Sequence, residues 1–277
     1  AVRPAPVQVT YLGYPGGTGA EFFDYMITDR IVTPEEHASF YSENLVYMPH
    51  SYQANDRSQI IADKDWKKRD LGLPKKGFVF CSFSQPFKIE PVMFDIWMNI
   101  LSQVPESVLW LLCRNESAEE NLKREAESRG ISSARLVFAE ELPKDEHLAR
   151  QRHADLVLDT RIYNGHTTTS DALWAGVPVI TLQGTHFASR VSASLLKAVG
   201  LPELITHNIE EYEKLAVRLS RTPSELRSIR EKLRKNRLKK PLFDTPRFAC
   251  NLEKAYKEMW EIFLNGERPR KIEVKED

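Results

Sequence analysis

The feature that most constrains this chain is a regular alternation of short apolar runs with helix-like segments, which extends from Gly77 to Ile205. The predicted strands are 78–83, 108–112, 135–138, 156–158, 177–180 and 204–205. The predicted helices are 91–103, 117–129, 144–153, a short helix from Thr167, and 187–199. Parallel strands need crossover helices between them. The pattern therefore predicts an α/β fold with a Rossmann-like, doubly wound parallel sheet.

One β-α-β unit within this pattern, residues 154–181, also indicates a binding site. Gly165 frees the turn after its first strand, and Gly176 suits the end of the short helix. Several hydroxyl residues are competent N-caps for that helix: Thr167, Thr168, Thr169 and Ser170. The positive end of the helix, beside the imidazole of His166, favours an anion such as phosphate. An ordinary capped crossover helix is the alternative.

Polar side chains follow three of the predicted strands, at the edge where such sheets bind ligands. Gln85 and Lys88 follow the first strand, Lys144 and His147 the third, and His166, Thr167 and Thr168 the fourth. Two lysines and two histidines beside a helix N-terminus favour a pyrophosphate over a neutral ligand. Asp171 accepts from ribose hydroxyls or merely favours the helix dipole, and Lys88 taken alone has the alternative of a surface lysine.

The first 76 residues read as a partial lobe followed by a linker. Strands are predicted over 7–12 and 24–28, with a glycine-rich turn over 13–19. Thr33–Glu36 resembles a capping box that opens a helix to about Leu45. His50 ends an extended stretch and is either a catalytic imidazole or a loop histidine. The polar segment 51–76 is interpreted as the linker.

Two helices are predicted in the last third of the chain, over 224–237 and 248–263. The second has an apparent apolar stripe: Leu252, Tyr256, Met259, Trp260 and Phe263. A stripe of this size must pack on something, and we expect it to cross back onto the first lobe. Residues 267–277 are predicted to form a polar, frayed tail.

Composition limits the function classes. The 277 residues contain 39 acidic and 39 basic side chains, which argues against a general nucleic-acid binder or a polybasic membrane protein. No apolar run approaches the roughly 20 residues that span a bilayer. Cys81, Cys113 and Cys250 are far apart and suggest neither a disulfide framework nor a metal site, so a reducing cytoplasm is expected. A start without Met, running directly into strand-like sequence, suggests a fragment.

Several short motifs follow one another along the chain in the order in which they occur in a known protein family. They are 6-PVQVTYLGYPG-16, 27-ITD-29, 47-YMPH-50, 83-FSQPFK-88, 143-PKDEH-147, 164-NGHTT-168 and 173-LWAGVP-178. Over nearly the whole chain, to about Gly266, it resembles the catalytic region of protein O-linked N-acetylglucosamine transferases and their SPINDLY-type relatives. These are GT-B glycosyltransferases with two Rossmann-like lobes around a nucleotide-sugar cleft, usually preceded by tetratricopeptide repeats.

The resemblance implies a division of the chain. Residues 1–50 would end the first lobe, 51–76 link the lobes, and 77–245 form the second, nucleotide-sugar-binding lobe. Residues 246–266 would be the C-terminal helix and 267–277 the tail. The upstream half of the first lobe, with another active-site histidine, and the repeats lie outside the chain, and the short span between His50 and Phe78 matches the compact bacterial-type layout.

The resemblance also implies residue roles, by matching motif. Lys88 would stabilise the departing UDP, with Gln85 beside it, and Lys144 and His147 would contact the uridine. His166, Thr167 and Thr168 would hold the phosphates, Asp171 the ribose, and His50 would face the sugar and the acceptor hydroxyl. The implied reaction is inverting transfer of N-acetylglucosamine from UDP-GlcNAc to Ser or Thr of acceptor proteins, with no metal and no cofactor. The alternatives are a GDP-fucose-dependent transferase and a non-catalytic UDP-binding module.

Overall fold

The computed structural model describes residues 3–276, so the extreme ends of the predicted first-lobe segment and tail lie outside the described residues. Its strands are β1 Val9–Thr10, β2 Tyr25–Asp29, β3 Asn44–Met48, β4 Val79–Ser82, β5 Val108–Leu112, β6 Leu136–Ala139, β7 Leu156–Leu158, β8 Val179–Leu182, β9 Ile205–Thr206 and β10 Ile272–Glu273. Its α-helices are α1 Pro91–Gln103, α2 Glu116–Ser128, α3 Lys144–Gln151, α4 Thr167–Ala175, α5 Val191–Ala198, α6 Ile209–Arg221, α7 Pro223–Asn236 and α8 Thr245–Leu264. Together they form an α/β fold.

The larger sheet has six parallel strands in the order β6-β5-β4-β7-β8-β9. The chain first runs outward from β4 to β6 and then returns to add β7, β8 and β9 on the other side. This order is that of a Rossmann sheet, and the direction of winding reverses between β4 and β7. Ligands bind in the crevice at such a reversal, so the loops after β4 and β7 mark the expected site.

The smaller sheet is also parallel, in the order β1-β2-β3-β10, and it is covered on both faces. Successive side chains of a strand point to opposite faces. Met26 on β2 therefore faces the large core that extends through the six-stranded sheet, whereas Ile27 faces α8. The side of α8 packed there carries Ala255 and Met259, so α8 packs against one face of the smaller sheet.

The structure corrects four of the predicted elements. The helix expected from Thr33 to Leu45 is a 3₁₀ helix, Glu35–Phe40, followed by β3, and Thr33 bonds the Thr28 hydroxyl instead of capping. The expected helix over 187–199 is a 3₁₀ turn, Phe187–Ser189, followed by α5. Helix α6 was not predicted, although its buried residues recur at helical spacing: Tyr212, Leu215, Ala216 and Leu219. It packs on α1 and β8.

The other two corrections concern the end of the chain. The expected stripe on α8 is right for Leu252 and Met259, which pack against the smaller sheet, and wrong for Tyr256, Trp260 and Phe263, which are exposed. Ala255 and Ile262 are buried in their place. The tail is not frayed over its whole length. Ile272 is buried and pairs with Val46, so β10 forms the edge of the smaller sheet. No helix in the described residues is both long and apolar enough to cross a lipid bilayer.

Candidate functional site

A cleft of about 420 Å³ lies beside the N-terminus of α4, at the edge predicted from the strand order. Its second-lobe wall consists of His166, Thr167, Ser170 and Asp171. Its first-lobe wall consists of Leu12 and of residues from the segment after β3, namely 52–56 and 59. The cleft is therefore lined from both lobes.

Helix α4 begins at this cleft without a side-chain cap. Its N-cap is His166, not a hydroxyl residue, and no side chain within residues 3–276 accepts a hydrogen bond from its first-turn amides. The first intrahelical bond runs from Ser170 N to His166 O, so the amides of residues 167–169 have no acceptor within the helix. The helix ends at Gly176, whose φ of 88° is the left-handed conformation expected there. The unbonded amides and the helix dipole make this end suitable for an anion.

The turn before α4 is tightly built around Gly165. The Gly165 amide donates to Oδ1 of the buried Asp159 at 2.6 Å. A Cβ at this position would lie 2.5 Å from Oγ1 of Thr169 and 2.7 Å from Oγ1 of Thr168. Only glycine fits, which explains the residue in physical terms.

Lys88 approaches the same turn from the loop after β4. Its Nζ donates to the Asn164 carbonyl at 2.8 Å and lies 3.8 Å from the centre of the Tyr163 ring. Burial lowers the pKa of Lys88, and the charge of Asp159 opposes that shift. Gln85, three residues earlier, is exposed at the start of the 3₁₀ helix Pro86–Lys88.

His166 lies on the cleft wall, and the centre of its ring is 5.1 Å from the centre of the Tyr163 ring. Burial, assisted by the nearby charge of Lys88, lowers the pKa of His166 to about 4. Its imidazole is therefore neutral at pH 7. His166 therefore offers the cleft a neutral hydrogen-bonding group.

Lys144 and Asp171 form an ion pair at the cleft. Asp171 is buried on the second-lobe wall, whereas the Lys144 side chain is 48% exposed. Burial raises the pKa of Asp171, and the bond from Lys144 opposes that rise. Oδ1 of Asp171 is buried and has no hydrogen-bond partner among the described residues.

His147 lies on α3 against the Phe83 ring, with the ring centres 5.0 Å apart. Its Nδ1 is 2.9 Å from Nη2 of Arg150, and because a guanidinium only donates, Nδ1 accepts and Nε2 carries the proton. Burial, with the charges of Arg150 and Lys144, lowers the pKa of His147 to about 4. This imidazole is also neutral at pH 7.

The predicted site residues are thus brought together unequally. Lys88, His166, Thr167, Thr168, Lys144 and Asp171 surround the start of α4. His50 is placed elsewhere, in a second pocket of about 20 Å³ beside α8, where its Nε2 lies 3.0 Å from Oε2 of Glu276. His50 does not line the larger cleft.

Sequence reasoning missed the first-lobe wall, because segment 51–76 was interpreted as a linker. Tyr52, Gln53 and Asn55 are buried in it. The Tyr52 amide donates to Asp29 at 2.8 Å, and Trp174 Nε1 donates to the Gln59 carbonyl at 3.0 Å. A signal was available, because this segment follows the carboxyl end of β3, where ligands of parallel sheets bind.

Two plant proteins are similar to this chain in sequence. A probable UDP-N-acetylglucosamine–peptide N-acetylglucosaminyltransferase, SEC of Arabidopsis thaliana, is 42% identical over 100% of this chain and 29% of its own length. The corresponding SPINDLY protein of Petunia hybrida is 35% identical over 99% of this chain and 30% of its own length. The chain therefore spans about a third or less of these relatives.

A solved structure is also similar. A mutant O-GlcNAc transferase of Thermobaculum terrenum superposes with a TM-score of 0.84 at 35% identity, covering 93% of this chain and 49% of that one. The predicted GT-B type of α/β fold is confirmed by this likeness. The model of glycosyl transferase family 41 matches residues 1–69 and 66–252. The chain belongs to glycosyl transferase family 41.

Proposed function

We propose that this chain is the donor-binding part of a transferase that moves N-acetylglucosamine from UDP-GlcNAc to Ser or Thr hydroxyls of proteins. The observation that carries the proposal is the cleft at the reversal of the parallel sheet, where the free amides of α4 and Nζ of Lys88 adjoin one turn. The names of SEC and of the Thermobaculum terrenum protein support the sugar, and the names of SEC and SPINDLY support a peptide acceptor.

In the proposed reaction the acceptor oxygen attacks the anomeric carbon, and the bond from that carbon to the diphosphate oxygen breaks with inversion. The bonding electrons leave with UDP, and the hydroxyl proton passes to a base, for which His50 stays the predicted candidate. Negative charge grows on the diphosphate in the transition state. Lys88 and the amides of α4 would stabilise that charge, which is where fixed donors lower a barrier most.

This division of roles needs no divalent cation, because protein groups would neutralise the leaving diphosphate. We therefore propose a metal-independent reaction with no cofactor beyond the donor. UDP release should be unchanged after treatment with EDTA. A loss of activity that added Mg²⁺ restores would contradict this part of the proposal.

The discriminating experiment is calorimetry of the purified chain with UDP and, separately, with GDP. We expect UDP to bind and GDP to bind at least about tenfold more weakly. Preference for GDP would favour a fucosyl donor. Binding of UDP without any turnover in the presence of acceptor protein would favour a non-catalytic UDP-binding module.

We also propose that the parent protein acts on acceptor proteins, carries tetratricopeptide repeats upstream of this chain and is located in the cytoplasm. The described part of the chain contains Cys81, Cys113 and Cys250 as free thiols, which supports a reducing compartment such as the cytoplasm. Fluorescent tagging of the parent protein would test this location.

A further inference from the structure

A buried carboxylate lies behind the donor site, and the roles proposed above do not use it. Asp159 follows β7, and its side chain is buried. Oδ1 accepts from the Gly165 amide and Oδ2 from the Thr181 hydroxyl, each at 2.6 Å. Burying a carboxylate costs free energy unless its charge is compensated, so the burial of Asp159 needs an explanation.

Asp159 and Lys88 hold consecutive residues of one turn. Asp159 binds the amide of Gly165, and Lys88 binds the carbonyl of Asn164. The Asn164 side chain also donates to the Thr160 carbonyl at 2.7 Å, and the carbonyl of Gly165 accepts from Ser192 at 2.8 Å. The turn that presents the start of α4 is thus fixed from several sides.

The electrostatics of this pair are complementary. Burial lowers the pKa of Lys88 and Asp159 raises it, while burial raises the pKa of Asp159 to about 6 and its hydrogen bonds and Lys88 lower it. Each group therefore favours the charged form of the other. The negative charge of the carboxylate thus opposes deprotonation of a partly buried ammonium.

Three other titratable groups among the described residues face Lys88 or Asp159. His166 and Tyr163 lie beside Lys88, and the Tyr212 hydroxyl of α6 donates to the Asp159 carbonyl at 2.9 Å. His166 is neutral above a pKa of about 4, and burial raises the pKa of Tyr212 well above its usual value. Neither His166 nor Tyr212 supplies a charge at neutral pH.

We propose that Asp159 is a positioning residue of the donor site, which fixes the turn before α4 and holds Lys88 in its cationic form. This inference rests on the proposed function, because Lys88 acts there on the leaving diphosphate. It concerns a residue that touches neither donor nor acceptor and that acts through Lys88 and Gly165.

The test is Asp159→Asn, which nearly preserves the shape and the bond from Gly165 but removes the charge. UDP affinity of the chain is measured by calorimetry from pH 6.5 to 10. We expect the alkaline loss of affinity, caused by deprotonation of Lys88, to move downward by about one pH unit in the variant. Lys88→Arg should abolish the part of this loss that Lys88 causes, because arginine stays charged over the whole range. Ionisation of the uracil ring of UDP contributes equally in all variants.

Asp29→Asn is the matched control. Asp29 is equally buried but accepts hydrogen bonds from Ser194 and from backbone amides. The Asp29→Asn variant should therefore leave the alkaline midpoint of UDP binding unchanged. An unchanged midpoint in Asp159→Asn would overturn the inference. Failure of the unaltered chain to bind UDP would instead count against the proposed function.

A second measurement needs neither a folded Asp159 variant nor UDP. In protein labelled with ¹³C at lysine Cε, the Lys88 resonance is identified by its loss in Lys88→Arg. Its titration should show a second inflection near pH 6, where Asp159 takes up a proton. A single-step titration would overturn the inference.

Discussion

The two walls of the cleft are built by different means. The second-lobe wall is the first turn of a regular helix, set on a sheet and preceded by a turn that only glycine fits. The first-lobe wall is irregular chain. It is fixed by single hydrogen bonds, such as Tyr52 N to Asp29, Ala54 N to the Tyr11 hydroxyl and Trp174 Nε1 to Gln59 O.

The walls differ in charge as well. Lys88 lies beside the second-lobe wall, whereas the first-lobe residues that line the cleft include one carboxylate, Asp56, and no cation. The difference supports the proposal that the second lobe stabilises the leaving diphosphate. The first-lobe wall closes the cleft, and its position depends on hydrogen bonds between the two lobes, such as Trp174 Nε1 to Gln59 O and Ser194 Oγ to Asp29 Oδ2. Changes on the two sides should therefore fail in different ways.

The largest effect is expected from Lys88→Ala on the second-lobe side. Loss of a cation that acts on developing charge should lower kcat by about 100- to 1,000-fold while the protein stays folded. The measurement is UDP release from UDP-GlcNAc with acceptor protein present. Lys232→Ala, which breaks a surface ion pair with Glu203, is the control. Wild-type turnover in the Lys88 variant would remove Lys88 from the mechanism.

Gly165→Ala should come next. The added methyl would meet Thr168 and Thr169 oxygens at under 3 Å, which forces the turn to move and should lower the free energy of unfolding by about 2 to 4 kcal/mol. Urea denaturation measures this. Gly13→Ala, in the glycine-rich loop next to the first-lobe wall, meets no atom within 4 Å and should change stability by less than about 0.5 kcal/mol. Equal losses in the two variants would contradict the contrast between the walls.

Sequence patterns predicted the second lobe well because its elements have clear periodicity. The bounds of α1 were predicted at both ends, and β5 and β7 likewise. Helix α6 was missed although its buried residues have helical spacing, because its many charged residues obscured that pattern. The strand in the tail, β10, has only two residues and depends on a partner far along the chain, which no local pattern reveals.

The sequence predicted the second-lobe side of the site better than the first-lobe side. Motifs after the strands indicated which residues surround the start of α4. They did not indicate that burial makes His147 and His166 neutral, or that Lys144 pairs with Asp171, because these depend on the packed surroundings. For the first-lobe wall the polar sequence predicts a linker, because polar composition alone does not show burial.

Ser194→Ala tests the joint that positions the first-lobe wall. The Ser194 hydroxyl of α5 donates to Oδ2 of Asp29 at 2.7 Å, and this same oxygen accepts from the Tyr52 amide. Removing one donor from a buried carboxylate should lower the free energy of unfolding by about 1 to 3 kcal/mol. The matched control is Ser102→Ala, where an exposed hydroxyl bonds only its own helix. A stability equal to that of the control variant would show that the joint does not depend on this bond.

The smallest effect expected is the pH dependence that His147 imposes beside the second-lobe wall. Its pKa of about 4 in the folded protein lies below the usual 6.5, chiefly because of burial. Between these values the unfolded chain binds a proton that the folded chain does not, so stability is lost as the pH falls from 6.5 towards 4. His147→Gln removes this loss. Relative to the variant, the unaltered protein should therefore lose about 1 to 2 kcal/mol of unfolding free energy between pH 7 and pH 5.

Urea denaturation at the two pH values measures this difference, and His207→Gln, on an exposed histidine, gives the reference. A difference between unaltered protein and the His147 variant that stays constant with pH would mean that water or a counter-charge reaches the imidazole. Water would then reach the second-lobe side more readily than its packing implies. The two walls would differ less in how firmly they are fixed before a donor binds. A full loss of the expected size would instead tie the neutrality of this imidazole to Phe83 and Arg150, which pack around it before any donor binds.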